Sequence, residues 1–189
     1  MTTSIQNMNL ADLSSRDPKV KYGSARNLLA IAKDSPAELY PHIDYFVELL
    51  DTENNILRWT AIDIIGSLSK VNEERKVDSL MGKLFGLLNT GNMLTANHAI
   101  AALTGVALAK PKFQEKITNE LLKVEHYDYD TDECRNIALG KVILALGSYF
   151  NQLEDKKAVM EFTERQTKNT RNATKKKAEQ FLKKLGKGK

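Results

Sequence analysis

Hydrophobic positions along this chain recur with the 3.6-residue period of a buried helix face, and the same face returns at nearly regular intervals. Leu57, Ala61, Ile64, Ile65 and Leu68 form one apolar stripe, and Val20, Ser24, Leu28 and Ile31 form its counterpart. The stretch VKYGSARNLLAIAK (20–33) aligns without gaps on LRWTAIDIIGSLSK (57–70), a shift of 37 residues. TANHAIAALTGVAL (95–108) lies 38 residues further on, and CRNIALGKVILALG (134–147) another 39. A degenerate fifth copy, TRNATKKKAEQFLKKL, begins at Thr170. Between the copies lie other amphipathic segments, over about 37–50, 74–89, 112–125 and 153–168. No segment alternates with the period of two that a strand requires.

A two-helix unit of this size cannot bury its apolar face alone, and stacking neighbours makes the core continuous. The pattern therefore predicts an all-α solenoid of about four helical hairpins plus a C-terminal capping helix. Leu57, Ala61, Ile65, Leu68, Ala138 and Val142 are expected to be nearly free of solvent. Start signals fall where the hairpins need them. Asp17-Pro18 offers an N-cap with proline at the first position, and Ser35-Pro36-Ala37-Glu38 reads as a capping box. Asp130-Thr131-Asp132-Glu133 is a further candidate cap. Residues 1–14 read as an N-terminal extension or partial first helix, and 15–186 as a single repeat domain with a basic final helix over about 169–186. Residues 187–189 read as a disordered tail.

Composition agrees with a globular helical protein: 42% hydrophobic, 28% charged, and only four prolines, Pro18, Pro36, Pro41 and Pro111. Charge changes the picture more. Residues 165–189 hold ten of the 28 Lys/Arg and one of the 24 acids, Glu179, leaving 18 basic and 23 acidic residues before them. A basic end on a mildly acidic body admits an anionic partner or a solvated helix face. The N-terminus shows no secretion signal, and no apolar run is long enough to span a membrane. The lone Cys134 excludes an internal disulfide. A cytoplasmic setting is expected.

At these residues the chain resembles the HEAT-repeat superfamily, whose second helix runs aliphatic-Arg, small residue, then an apolar pair. LRWTAIDIIGSLSK and ECRNIALGKVILAL match well and VKYGSARNLLAIAK fairly. The third copy departs with Thr95-Ala96 in place of aliphatic-Arg, and the fifth has lost most apolar positions. The stretch 133–185 is similar to prokaryotic HEAT-like proteins with no assigned activity. The resemblance implies an architecture, and one architecture hosts many functions. It also implies that Lys21, Arg58, Arg135 and Arg171 pair with acids on neighbouring units as a structural ladder, with direct ligand contact the alternative.

Residues that carry chemistry are sparse. His42, His98 and His126 lack metal-ligand spacing, and no phosphate loop or nucleophile elbow is present. Asp128, Asp130, Asp132 and Glu133 lack the glycine and distal glutamate of an EF-hand and read as a capping turn. Cys134 sits at an aliphatic repeat position and reads as a small buried hydrophobe. No catalytic residue, metal, cofactor or small-molecule substrate is expected, and the chain reads as non-enzymatic.

A more informative column lies one residue after the ladder. Tyr22, Trp59, Asn97, Asn136 and Asn172 share one repeat position, with Arg26 and Asp63 one turn beyond the two aromatics. Armadillo-type solenoids, relatives of the HEAT fold, grip extended peptides with tryptophan and asparagine columns. Asparagine amides both donate and accept, and aromatics wall in side chains. The leading expectation is thus a scaffold or adaptor holding a protein or peptide along a concave stripe of Tyr22, Arg26, Trp59, Asp63, Asn97, Asn136 and Asn172. The alternative is nucleic-acid binding through Arg165, Lys168, Arg171, Lys175, Lys176, Lys177, Lys183 and Lys184. A remote one is a HEAT-like DNA glycosylase, through the Trp59 and Asp63 pair.

Overall fold

The computed structural model describes residues 9–71 and 75–186. Most of the N-terminal extension and the tail 187–189 lie outside the described residues. The chain packs as two compact units, Met1–Leu80 and Met81–Lys189, within the span read as one repeat domain.

In the first unit a 3-10 turn, Leu10–Ser14, packs on α1 (Pro18–Asp34). Asp17 caps α1 as its sequence predicts, its carboxylate accepting from Lys19 N at 2.8 Å. The segment expected as one helix over 37–50 is broken into α2 (Pro36–Leu39), a 3-10 turn (Tyr40–His42) and α3 (Ile43–Leu49). Pro41 stands inside the break and has no N–H to donate to the helical ladder, and the backbone departs from ideal helix at Leu39 (ψ −17°) and His42 (φ −102°, ψ 12°) on either side of it. Ser35 makes no side-chain cap bond, so the capping box predicted there does not form. α4 (Asn55–Leu68) instead has a cap the pattern did not single out: Asn54 Oδ1 accepts from Ile56 N and Leu57 N at 3.1 and 3.2 Å. α4 packs against both α1 and α3. The short α5 (Lys76–Ser79) follows, and Lys76 pairs with Asp44 of α3 at 2.9 Å.

The second unit repeats one plan three times: α6 (Met81–Gly86) with α7 (Met93–Ala109), α8 (Gln114–Leu122) with α9 (Asp132–Tyr149), and α10 (Lys157–Gln166) with α11 (Asn172–Gly186). α7, α9 and α11 lie side by side as one layer, and α8 and α10 meet in the other. Gly91, at φ +77°, makes the left-handed turn into α7, and Asn92 caps it through Thr95 N at 2.9 Å. Thr131 caps α9 through Cys134 N at 3.1 Å. Each sequence copy thus lands on a second-layer helix or its equivalent: α1, α4, α7, α9 and α11. The fold is an all-α helical repeat, with no strand among the described residues.

The six positions expected to be buried are buried: Leu57 is 6% exposed and the other five are sealed. Two others are not. Val20 is 42% exposed. Cys134 is half-buried in the first turn of α9. Phe181, Leu182 and Leu185 of α11 are also half-buried, and among its apolar positions expected to dock only Ala178 is sealed. This fits a last helix covered on one side.

Several polar groups inside the second unit are paired. Gln114 donates to Ala107 O at 3.0 Å and to Gln152 Oε1 at 2.6 Å, and Thr118 shares a 3.1 Å bond with the Tyr149 hydroxyl. Burial pushes the Tyr149 phenol up to about 12, from 10.0. The folded state therefore holds this proton more tightly than the unfolded chain does. The stabilisation is fully present below pH 10 and is lost as pH rises towards 12. A melting-temperature series across that window is expected to fall, and to fall less steeply in Tyr149→Phe.

Candidate functional site

The predicted column divides between the two units. In the first, Tyr22 on α1 and Trp59 on α4 are both half-buried, and the Tyr22 hydroxyl accepts from Asn54 Nδ2 at 3.4 Å. One turn on, Arg26 is exposed and Asp63 half-buried. In the second, Asn97 is half-buried with its Oδ1 sealed and unpartnered, and Asn172, the first residue of α11, is exposed.

Asn136 has a structural task. Its Nδ2 donates to Thr170 Oγ1 at 3.0 Å, its Oδ1 accepts from Asn169 Nδ2 at 2.9 Å, and its carbonyl accepts from Thr174 Oγ1 at 2.7 Å. Asn169 also donates to Gln166, which donates to Glu125 at 2.7 Å. This network pins the α10–α11 turn to α9, so the Asn136 amide is already engaged. Asn136→Ala is expected to destabilise the second unit by roughly 1–3 kcal/mol, because it strands Asn169 and Thr170. Urea unfolding measures this directly.

The basic ladder is mostly local. Arg58 donates to Thr52 O and to Asn55 Oδ1, with its Nε buried and unpartnered. Arg135 pairs with Asp132 and reaches Asp128 at 4.0 Å, all within its own hairpin. Arg171 alone, through Glu133 at 2.7 Å, makes the expected pairing across repeats. Lys21 is half-buried. Within the basic patch, Arg165 grips Glu125 with three hydrogen bonds of 2.7–3.2 Å. Lys175 stands 4.0 Å from Glu179. Lys168, Lys176, Lys183 and Lys184 are exposed, and Lys177 is half-buried.

Two grooves bring some of these predicted residues together with others that the sequence did not single out. A groove of about 310 Å³ between α7 and α9 is lined by Ile100, Ala101, Thr104, Lys141, Leu144 and Ala145, with Asn97. A second, about 260 Å³, runs between α9 and α11, with Leu144, Gly147, Lys177, Gln180, Phe181 and Lys184 in its lining. Leu144 belongs to both and is 54% exposed, an aliphatic ridge between two troughs. The second trough depends on close helix packing. A Cβ at Gly140 would meet Thr174 Oγ1 at 2.8 Å, and one at Gly147 would meet the Phe181 ring at 3.1 Å. Phe181 in turn packs edge-on against Phe150, with centroids 5.1 Å apart.

The repeat itself held the signal. Ala30, Ser67 and Gly105 occupy the position of Leu144 in the earlier copies. A large aliphatic residue in a column of small ones marks the departure. Among the described residues no three His, Cys, Asp or Glu side chains gather as a metal site, and no helix is long and apolar enough to cross a membrane.

No known family profile and no curated protein matches this chain. Among solved structures it is similar to an engineered protein, with TM-score 0.51 and 19% identity over 93% of this chain and 77% of that one. A designed armadillo repeat protein matches at TM-score 0.40 and 15% identity, over 91% of this chain and 96% of that one. At such identity the first likeness is one of fold alone, and the fold is the helical repeat that the stacked hairpins display.

Proposed function

We propose that the chain is a non-enzymatic docking scaffold that holds a protein or peptide segment on the α7–α9–α11 face. The observation that carries this reading is Leu144, a large apolar side chain 54% exposed between two lined grooves. Exposed apolar surface beside concavity favours burial against a partner, and a rigid helical layer supplies a preformed site. Layers of stacked helices are well suited to this because equal positions of successive repeats become neighbours in space. The same reading sets the chain in the cytoplasm, where a lone thiol such as Cys134 stays reduced.

A photo-crosslinking amino acid at Ala101, on the exposed floor of the first groove, tests this. In native lysate it is expected to trap a discrete protein whether or not nuclease is added, and Leu144→Glu is expected to abolish the trap. Unchanged crosslinking in Leu144→Glu would sink the assignment to this face.

Nucleic acid is the second reading, favoured by the exposed Lys168, Lys176, Lys183 and Lys184. It requires binding that weakens steeply with salt, and a slope that flattens when Lys175, Lys176 and Lys177 are neutralised. No binding even at low salt would end it.

A further inference from the structure

The face made by α7, α9 and α11 carries charge of essentially one sign along its grooves. α7 has no Asp, Glu, Lys or Arg, and beyond Arg135 the only charged residue of α9 is Lys141. α11 turns Lys177 and Lys184 to the second groove, while its single acid, Glu179, stands beside Lys175 and outside the lining. Among the described residues Lys141, Lys177 and Lys184 make no ion pair. Burial, with Lys141 and Arg171 nearby, holds the Lys177 ammonium below the usual lysine range. An anion seated among these lysines relieves that repulsion.

Resting on the docking reading above, we propose that this face binds an acidic peptide segment with two large apolar side chains three residues apart. One side chain fills each groove, astride Leu144, and the flanking carboxylates meet Lys141, Lys177 and Lys184. The spacing follows from packing. Neighbouring helices lie about 8–10 Å apart, so troughs on either side of α9 are separated by about that distance. A polyproline II segment rises about 3.1 Å per residue with three residues per turn, so residues i and i+3 face the same way about 9 Å apart. A β-strand presents i and i+2 at only about 7 Å. Nucleic acid fits less well. The floor is aliphatic, and Phe181, its one aromatic side chain, is engaged with Phe150, which leaves no platform for base stacking.

Fluorescence anisotropy with a labelled peptide, Glu-Asp-Glu-Leu-Pro-Glu-Leu-Asp-Glu-Asp, tests the proposal on the full chain. Three probes accompany it: a Gln/Asn version without charge, an isomer with the two leucines adjacent, and labelled oligothymidylate. The acidic peptide is expected to bind about tenfold or more tightly than either peptide control, by the worth of a buried anchor or a charge-assisted contact. Leu144→Glu, and Lys141→Glu combined with Lys184→Glu, are expected to remove that binding. All three residues are exposed, and circular dichroism verifies that each variant stays helical. Equal binding of the uncharged peptide overturns the acidic partner while leaving the docking reading standing. Failure of every peptide overturns this proposal, and crosslinking from Ala101 then decides the docking reading on its own. Oligothymidylate binding that depends on Leu144 and the lysines, without peptide binding, overturns both.

Discussion

Ile65→Ala is expected to destabilise the first unit by about 2–5 kcal/mol, the range for truncating a buried aliphatic side chain where the cavity cannot collapse. Ile65 is sealed, and so are Ala61, Ile62, Ile64 and Leu68 along the same helix. Because α4 packs against both α1 and α3, a void at its middle loosens two contacts at once. Trp59, the only tryptophan, sits on α4 and reports on this unit by its fluorescence. In urea, the fluorescence midpoint is expected to fall while the slope stays unchanged, since the surface exposed on unfolding is nearly the same. A midpoint that does not move would mean that α4 is not the centre of this core.

Gly140→Val is expected to cost the second unit about 1–3 kcal/mol, the usual penalty for forcing atoms into a packed contact. A Cβ there would already stand 2.8 Å from Thr174 Oγ1, whose hydroxyl is bonded to Asn136 O. α11 must retreat, and the bonds that Asn136 makes to Thr170 and Asn169 are strained with it. The gain in helix propensity on replacing glycine recovers only a few tenths of a kcal/mol. Amide exchange in α11 is expected to accelerate, and the second groove, which needs α11 close to α9, is expected to lose its ligand. Gly140→Ala is expected to show the same direction with smaller size.

Much of this architecture was readable from period and repeat. The stripe of Leu57, Ala61, Ile65 and Leu68 repeats a hydrophobic face, and burial of that face is what the fold maximises. Local breaks were harder to read. Pro41 was visible, yet the apolar positions on either side continued the helical period and masked the break at Tyr40–His42. The candidate site was less legible still. Asn136 shares a repeat position with Asn97, and pattern alone cannot tell an amide that meets a ligand from one that pins a turn. The difference lies in Asn169 and Thr170, which belong to a different hairpin. Gly140 carries no side chain for a pattern to read, yet a Cβ there would stand 2.8 Å from Thr174 Oγ1 of α11. Leu144 is masked in the pattern because it extends an aliphatic run, VILAL, whose other members are buried.

Docking on the α7–α9–α11 face is open to methyl-resolved NMR of the full chain. On titration with the acidic leucine peptide, the methyl signals of Leu144, Ala101 and Ala145 are predicted to shift first and together. Those of the sealed Ala61 and Ile65 are predicted to stay still. Shifts centred on α8 and α10 instead, with Leu144 unmoved, would place binding on the other layer and rule out this face.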